Sequence, residues 1–250
     1  MLITTDAIVL KRIPFSDTSL ICKVFTKTNG KVTIIAKGAR SNKKTTSAIL
    51  EPSNHIQMQY YHKSNRDVQL LKDAVFINHY SNMRKSLNRI ILALASVEIL
   101  DKSTKEEHAN HIIYRLIWRI LDKLDDINTN ELIVFAFYLY QLSLRIGYMI
   151  NVSICHQCMN SMNRGWINIH NGDIVCKECL EINKNFIDFS FLIKLKSLHL
   201  DEINLLSFTK KTILDSIYLM ELFLSYHIEG FNKIKSLKIV YNILNKELSS

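Results

Sequence analysis

The hydrophobic pattern of the chain changes its period near residue 78, and this change divides the sequence into two kinds of structure. Up to about Asn78, apolar residues alternate with polar ones, and many are β-branched or aromatic. This pattern is typical of β-strands, because successive side chains of a strand point to opposite faces. After Asn78, apolar residues recur at the spacing of one face of an α-helix. The sequence therefore predicts an α+β protein with several domains.

The amino-terminal part contains five strand candidates, namely residues 5–11, 19–26, 31–36, 55–61 and 67–77. Asn29-Gly30 lies between the second and third candidates and is a strong hairpin signal, because a type I′ turn needs positive φ at both central residues. Five short strands within about 80 residues predict a small closed barrel. We expect a nucleic-acid-binding OB fold in residues 1–80, with an SH3-like barrel as the alternative.

The helical part carries recognisable signals for the ends of its helices. Ser81 is a candidate N-cap for the first helix, and Thr104 with Glu107 forms a candidate capping box for the second. The run 132–140 is apolar on all sides, which indicates a helix buried by its neighbours. Gly147 is suited to the end of that helix, because glycine adopts the left-handed conformation found there.

Four of the five cysteines stand in two close pairs. Each pair has the pattern C-x₂-C, and seventeen residues separate Cys155 and Cys158 from Cys176 and Cys179. This spacing is typical of structural zinc sites. We expect one structural Zn²⁺ on a hairpin within segment 150–182, inserted in a helical domain over residues 81–250. A one-iron site and a thioredoxin-like redox pair are the alternatives.

The sequence argues against an enzyme. Four thiolates fill a tetrahedral shell and leave no position for a water molecule, so zinc-hydrolase chemistry is disfavoured. No H-x-E motif lies beside the cysteine pairs, which argues against a base deaminase. The chain also contains no P-loop, G-x-G-x-x-G, G-x-S-x-G or H-E-x-x-H motif. His156 and His170 are predicted to be exposed and not to bind the metal, and Cys22 is predicted to be a buried thiol.

Membrane and secretion signals are absent from the sequence pattern. No apolar stretch reaches the length of about 18 residues that a membrane helix needs. The first residues lack the basic and apolar regions of a signal peptide. Paired cysteines that bind a metal suit a reducing compartment. We therefore expect a cytoplasmic protein with no membrane partner.

The net charge of +9 is concentrated at the amino-terminal end of the chain. Residues 1–80 carry twelve Lys and Arg against five Asp and Glu, which leaves them +7 of the total. A basic segment of this kind favours a polyanionic partner, either nucleic acid or an anionic surface. A basic loop that leaves a barrel strand is exposed, so we expect its cations to contact phosphates first and those of the first strand second. The candidate residues are Lys37, Arg40, Lys43 and Lys44 in the loop, and Lys11 and Arg12 at the end of the first strand candidate.

Exposed aromatic side chains of the barrel are candidates for stacking on bases. Phe15, Tyr60 and Tyr61 are the candidates, since one of two adjacent tyrosines in a strand must face outward. Phe25 and Phe76 are predicted to lie in the core.

Short motifs follow one another along nearly the whole chain: Ala-Ile-Val-Leu at 7–10 with Phe-Ser-Asp-Thr-Ser at 15–19, Thr-Lys-Thr-Asn-Gly-Lys at 26–31, Ala-Lys-Gly-Ala-Arg at 36–40, Leu-Glu-Pro at 50–52, Gly-Tyr at 147–148, Asn-Gly-Asp-Ile-Val-Cys at 171–176 and Lys-Ser-Leu-Lys at 235–238. In order and spacing they resemble the RecO family of bacterial recombinational repair proteins. The chain departs from the family at Ile150, where a proline is common, and at Asn171-Gly172, which replaces a Gly-Gly pair.

The resemblance implies an accessory factor in DNA repair and recombination. Such proteins bind single- and double-stranded DNA through the OB domain, anneal complementary strands and associate with RecR. They contact the acidic C-terminal tail of single-stranded DNA-binding protein and help to load RecA, which implies a cytoplasmic location at the nucleoid. The alternative is a zinc-containing scaffold whose basic barrel binds acidic peptide tails. A factor that binds RNA is a third, more distant interpretation.

Overall fold

A computed structural model describes residues 1–41, 45–106, 108–168, 170–180 and 186–240. The chain forms two compact units, which are residues 1–127 with the segment that begins at Lys233, and residues 128–232. In the described ranges, no helix combines the length and the apolar character that crossing a membrane requires. The division into domains at residues 80 and 81 stays a prediction.

The first unit begins with a five-stranded closed barrel. Its strands are β1 Leu2–Phe15, β2 Ser19–Thr26, β3 Gly30–Ala36, β4 His55–Tyr61 and β5 Val68–Asn78. The order around the barrel is β1-β2-β3-β5-β4, and β1 closes it by pairing with β4. Only the β3–β5 pair is parallel among these five strands. The barrel has the strand number and closure of an OB fold, so this prediction is confirmed.

The predicted hairpin between β2 and β3 is confirmed, but its predicted turn type is wrong. Thr26 pairs with Gly30, so three residues connect the strands where a type I′ turn has two. Gly30 has a φ of 66°, whereas Asn29 does not have positive φ. The backbone N–H of Asn29 donates to the Thr26 hydroxyl at 2.9 Å, which fixes the turn from within.

The barrel interior corrects two predictions about aromatic residues. Phe25 and Tyr60 are fully buried, so Phe25 is confirmed as core and Tyr60 is wrong as a stacking candidate. Phe76, predicted to be core, is 42 % exposed, while Tyr61 is 44 % exposed. Phe76 lies on the part of β5 that pairs with β4, beyond the short stretch that also pairs with β3. Val75, Phe76 and Ile77 are all exposed, so neither face of the strand is covered at this point.

The described part of the first unit also contains α1 Thr46–Ile49, α2 Leu87–Ser103 and α3 His111–Asp125, and residues 235–240 are helical as well. Ser86 caps α2 and Asn110 caps α3, so Ser81 and Thr104 were wrong as helix starts. A short 3₁₀ turn, Met83–Lys85, occupies the place where the first helix was predicted to begin. Thr104 follows the end of α2 instead, and Glu107 lies outside the described residues.

Lys31 of β3 attaches the barrel to the end of α2. Its Nζ donates to the carbonyl oxygens of Asp101 at 2.8 Å and Thr104 at 2.7 Å. The same Nζ lies 3.2 Å from the Asp101 carboxylate, and Lys31 is only 5 % exposed. The last carbonyl groups of a helix lack partners within the helix and carry partial negative charge, so a buried ammonium satisfies both needs.

The second unit contains α4 Glu131–Arg145, α5 Ser190–Lys196, α6 Lys210–His227 and the short strands β6 Arg164–Ile167, β7 Ile174–Val175 and β8 Ile187–Asp188. Asn130 caps α4, and every residue from Leu132 to Tyr140 is buried, which confirms the predicted buried helix. Gly147, with a φ of 91°, follows the end of α4 as expected. Helices α4 and α6 pack against each other, and β6 pairs with both β7 and β8.

Candidate metal centre and candidate nucleic-acid interface

A β-hairpin between the two cysteine pairs brings them together. Strands β6 and β7 pair through Trp166 with Val175 and Ile167 with Ile174, as the spacing had suggested. The backbone N–H of His156 donates to the carbonyl oxygen of Ile174 at 2.8 Å, which holds the first cysteine loop against β7. In the second pair, Cys176 directly follows β7 and Cys179 ends the 3₁₀ turn Lys177–Cys179. The cysteines are therefore positioned by backbone hydrogen bonds.

The four cysteine sulfur atoms form one compact cluster. All four lie within 4.8 Å of one another, and the Sγ atoms of Cys158 and Cys176 are 3.7 Å apart. Sulfur atoms bound at about 2.3 Å to a tetrahedral ion are about 3.8 Å apart. Cys155 and Cys176 are buried, whereas Cys158 is exposed. The cluster can hold a metal ion with little rearrangement.

The backbone around Cys155 favours its thiolate form. Burial raises the pKa of this thiol, but hydrogen bonds from the backbone N–H groups of Cys158, Cys176 and Gln157 lower the pKa to about 6. The N–H of Cys176 lies 3.4 Å from the Cys155 sulfur. The thiolate is the form that binds a metal, so these N–H groups favour Cys155 as a ligand, whereas a hydrogen bond with the Glu178 carboxylate raises the pKa of Cys176.

The two histidines near the cysteines have other contacts. His156 is exposed and its Nδ1 lies 3.3 Å from a carboxylate oxygen of Asp173. His170 is exposed too, and its ring packs edge-on against Tyr226 with centroids 4.5 Å apart. Neither belongs to the group of side chains in the described ranges that could hold a metal ion.

One end of the barrel presents exposed cations beside an exposed aromatic ring. Lys37 and Arg40 follow β3 and are both exposed. The Arg40 guanidinium donates to the carbonyl oxygen of Ser16 at 3.3 Å, next to Phe15, which is 50 % exposed. The turn after β3 and the turn after β1 therefore bring Arg40 and Phe15 to the same end. The other two loop candidates, Lys43 and Lys44, lie outside the described residues.

The two candidates in β1 differ in their surroundings. The pairing of β1 with β2 shifts register between Val9 and Lys11, which marks a β-bulge, and Lys11 is exposed. Arg12 forms an ion pair with Glu51 and donates to the Ser47 carbonyl oxygen at 3.0 Å. Because its guanidinium already serves this internal contact, Arg12 is less available to a ligand than Lys11.

Some of the amino-terminal basic charge is used inside the protein. Lys31 is buried against α2, and Lys23 lies 3.3 Å from the Glu106 carboxylate. Two cations from outside the barrel, Lys102 and Lys235, instead line one cleft together with Lys11. Sequence reasoning did not connect these lysines, because they are far apart in the chain, although Lys235 belongs to one of the short motifs.

Two family models match the chain. The model described as Recombination protein O N terminal matches residues 1–80, and the model described as Recombination protein O C terminal matches residues 84–238. Together they cover the barrel, the helices and the cysteine segment.

The chain is also similar to curated proteins named DNA repair protein RecO. The protein from Syntrophus aciditrophicus is 28% identical over 251 residues, which cover 96% of this chain and 95% of the relative. The protein from Desulfatibacillum aliphaticivorans is 30% identical over 183 residues, or 71% of each chain. The protein from Salinibacter ruber is 33% identical over 124 residues, or 50% of this chain and 48% of the relative.

Proposed function

This chain belongs to the RecO family of DNA repair proteins, and we propose that it is a mediator that binds DNA and anneals complementary strands. It binds both single- and double-stranded DNA, and it acts without catalytic turnover. Its protein partners are RecR and the acidic C-terminal tail of single-stranded DNA-binding protein. With RecR, it helps to load RecA onto DNA that this binding protein covers, at the nucleoid in the cytoplasm.

The observation that carries the DNA-binding proposal is the basic end of the barrel. Lys37 and Arg40 are exposed there, and Arg40 contacts the backbone of Ser16, the residue that follows the exposed Phe15. Cations that follow the phosphate backbone and rings that stack on bases are the two elements of single-strand recognition by such barrels. Neutralising phosphates releases counterions, so the affinity should fall steeply as salt is raised. Lys43 and Lys44 extend this basic loop in the sequence.

We propose further that the cysteine cluster holds one Zn²⁺ with a structural role. Four thiolates satisfy the preference of zinc for a tetrahedral sulfur shell and leave no open position for chemistry. The metal would fix the loops of Cys155 and Cys176 on either side of the β6–β7 hairpin. The ligands and the hairpin lie in the second unit, whereas the basic end of the barrel lies in the first.

Strand annealing tests the proposed function. We expect the purified full chain to accelerate annealing of complementary strands, both bare and covered by single-stranded DNA-binding protein, in a fluorescence-quenching assay. Replacing Lys37 and Arg40 by alanine should slow annealing of bare strands. A chain that neither anneals strands nor binds DNA or single-stranded DNA-binding protein would overturn the proposal.

The scaffold function is the second candidate, because exposed cations at the barrel end would also attract carboxylates of an acidic peptide. The two functions differ in which ligand the barrel binds more tightly at physiological salt, an acidic peptide or single-stranded DNA. If a peptide with an acidic tail displaces single-stranded DNA from the barrel at equal concentration, the scaffold interpretation is favoured. If DNA displaces the peptide, the mediator interpretation stands.

A further inference from the structure

A cleft of about 400 Å³ lies within the first unit, between β1, α2 and the start of the C-terminal segment. Leu10 and Lys11 contribute from the bulged part of β1, and Lys102 contributes from the last turn of α2. Lys235 and Ser236 line the cleft from the motif that the sequence analysis singled out near the end of the chain. These lining residues belong neither to the cysteine cluster nor to the basic end of the barrel. Beta-bulges often lie at functional sites.

Three cationic groups of the cleft are available to a ligand, whereas Arg12 and the two acidic groups of the lining already have partners within the protein. Lys11, Lys102 and Lys235 are exposed, and none forms an ion pair with another residue in the described part of the chain. The carboxylate of Glu98 accepts hydrogen bonds from the backbone N–H groups of Lys235 and Ser236, both at 3.3 Å. Asp101 is paired with the buried Lys31, as described above.

The cleft also has an apolar part. Leu94 and Pro52 in the lining are half-buried, while Leu10 and Val97 are 4 % and 1 % exposed. A site with an apolar floor and three surrounding ammonium groups fits a ligand that carries phosphates on a less polar framework. A single nucleotide has this character, with its sugar and base on one side and its phosphates on the other. A duplex is far too wide to enter a cleft of this volume.

We propose that a segment of single-stranded DNA passes from the barrel into this cleft, with its phosphates between Lys11, Lys102 and Lys235 and one sugar and base against the half-buried Leu94 and Pro52. The inference rests on the proposed DNA-binding function and extends it to a second contact. Lys11 supports DNA over an acidic peptide as the occupant, because it lies both on the bulged strand of the basic barrel and in the cleft. A continuous polyanion can follow that path.

The test compares the binding of wild type with that of the double variant Lys102→Ala/Lys235→Ala. Fluorescence anisotropy with oligo-dT at several salt concentrations gives both the affinity and the number of phosphate contacts. Losing two contacts should weaken binding about tenfold at low salt and reduce the slope of log K against log salt by about 1.4. Binding of a duplex of equal length should change much less, because the duplex does not enter the cleft.

The control is Lys194→Ala/Lys196→Ala, which removes the same charge from exposed positions of α5 in the second unit. If the cleft variant binds oligo-dT like this control while Lys37→Ala/Arg40→Ala binds weakly, the cleft inference is overturned and the proposed function stands. If wild type binds no DNA at all, both fail. If the cleft variant loses binding of an acidic peptide but keeps its affinity for DNA, the cleft is a peptide site and the inference is wrong.

Discussion

Lys31 lies in the most basic part of the sequence, yet its charge serves the fold. The ammonium group is buried and donates to two carbonyl oxygens at the end of α2. A charge count over residues 1–80 treats Lys31 as equal to Lys37, which is exposed. The count correctly indicated a basic barrel, but only the tertiary contacts separate the cations that hold the protein together from those that can meet a ligand.

Replacing Lys31 by methionine tests this internal role. The substitution keeps most of the side-chain volume but leaves the Asp101 and Thr104 carbonyl groups and the Asp101 carboxylate without this partner. We expect the free energy of unfolding to fall by about 2 to 4 kcal/mol, measured by urea denaturation. Lys27→Met, at an exposed position of the β2–β3 turn, is the control and should change it by less than about 0.5 kcal/mol. Equal effects of the two substitutions would contradict the internal role of Lys31.

The cysteine ligands were the part of the candidate site that could be predicted residue by residue. Two C-x₂-C pairs predict a metal site through local spacing, and the four sulfur atoms lie within 4.8 Å of one another, close enough to hold one ion. The sequence leaves the choice between Tyr60 and Tyr61 as a stacking residue open, because it depends on which face of the strand is buried. Ile56, Met58 and Tyr60 are buried in unbroken alternation along β4, which places Tyr61 on the outer face.

At the scale of elements, the strands were predicted more accurately than the helix ends. Alternation and the hairpin signal identified all five barrel strands, because these signals are local. The helix starts were displaced, because several Ser, Thr and Asn residues before each helix can serve as caps. Packing of the helix on its neighbours decides which one does, and Ser86 and Asn110 were the residues used.

The turn between β2 and β3 also depends on an element distant in sequence. A Cβ atom at Gly30 would lie 2.3 Å from the carbonyl oxygen of His108, and Gly30 has a φ of 66°. Lys31 and Glu106 form a parallel β-bridge beside this contact. The segment after α2 therefore packs directly on the hairpin, which requires a residue without a side chain at its turn.

Gly30→Ala should consequently destabilise the protein more than Gly147→Ala. Both glycines have positive φ, but the space around a Cβ at Gly147 is open to 4 Å. Gly147→Ala should lower the free energy of unfolding by about 1 kcal/mol, because alanine is strained at positive φ. Gly30→Ala should lower it by at least about 2 kcal/mol more, because the neighbouring backbone must also move. Thermal and urea unfolding of both variants measure the difference. Equal costs would show that the segment at His108 does not constrain the hairpin.

At the scale of the whole molecule, the candidate metal site and the candidate DNA-binding surfaces belong to different compact units. The cysteine cluster lies within residues 128–232, whereas the barrel end and the lysine cleft lie in the unit that contains residues 1–127. Each unit has its own buried core. Loss of the metal is therefore expected to act locally.

Removing the metal by chelation should destabilise the chain beyond about Gly147 and leave the barrel folded. The binding free energy of a structural zinc is also folding free energy for the segment it organises. Hydrogen–deuterium exchange should show faster exchange in the β6–β7 hairpin and unchanged protection in β1 to β5. Loss of protection in the barrel after chelation would contradict this division.

Binding of single-stranded DNA to the variant Lys37→Ala/Arg40→Ala tests the central claim most directly, namely that DNA binding is led by the basic end of the barrel. Measured at low salt by anisotropy on the full chain, binding should weaken more than about tenfold relative to wild type, with a shallower salt dependence. The control Lys194→Ala/Lys196→Ala should bind like wild type. Unchanged affinity and salt dependence in the barrel variant would contradict the account.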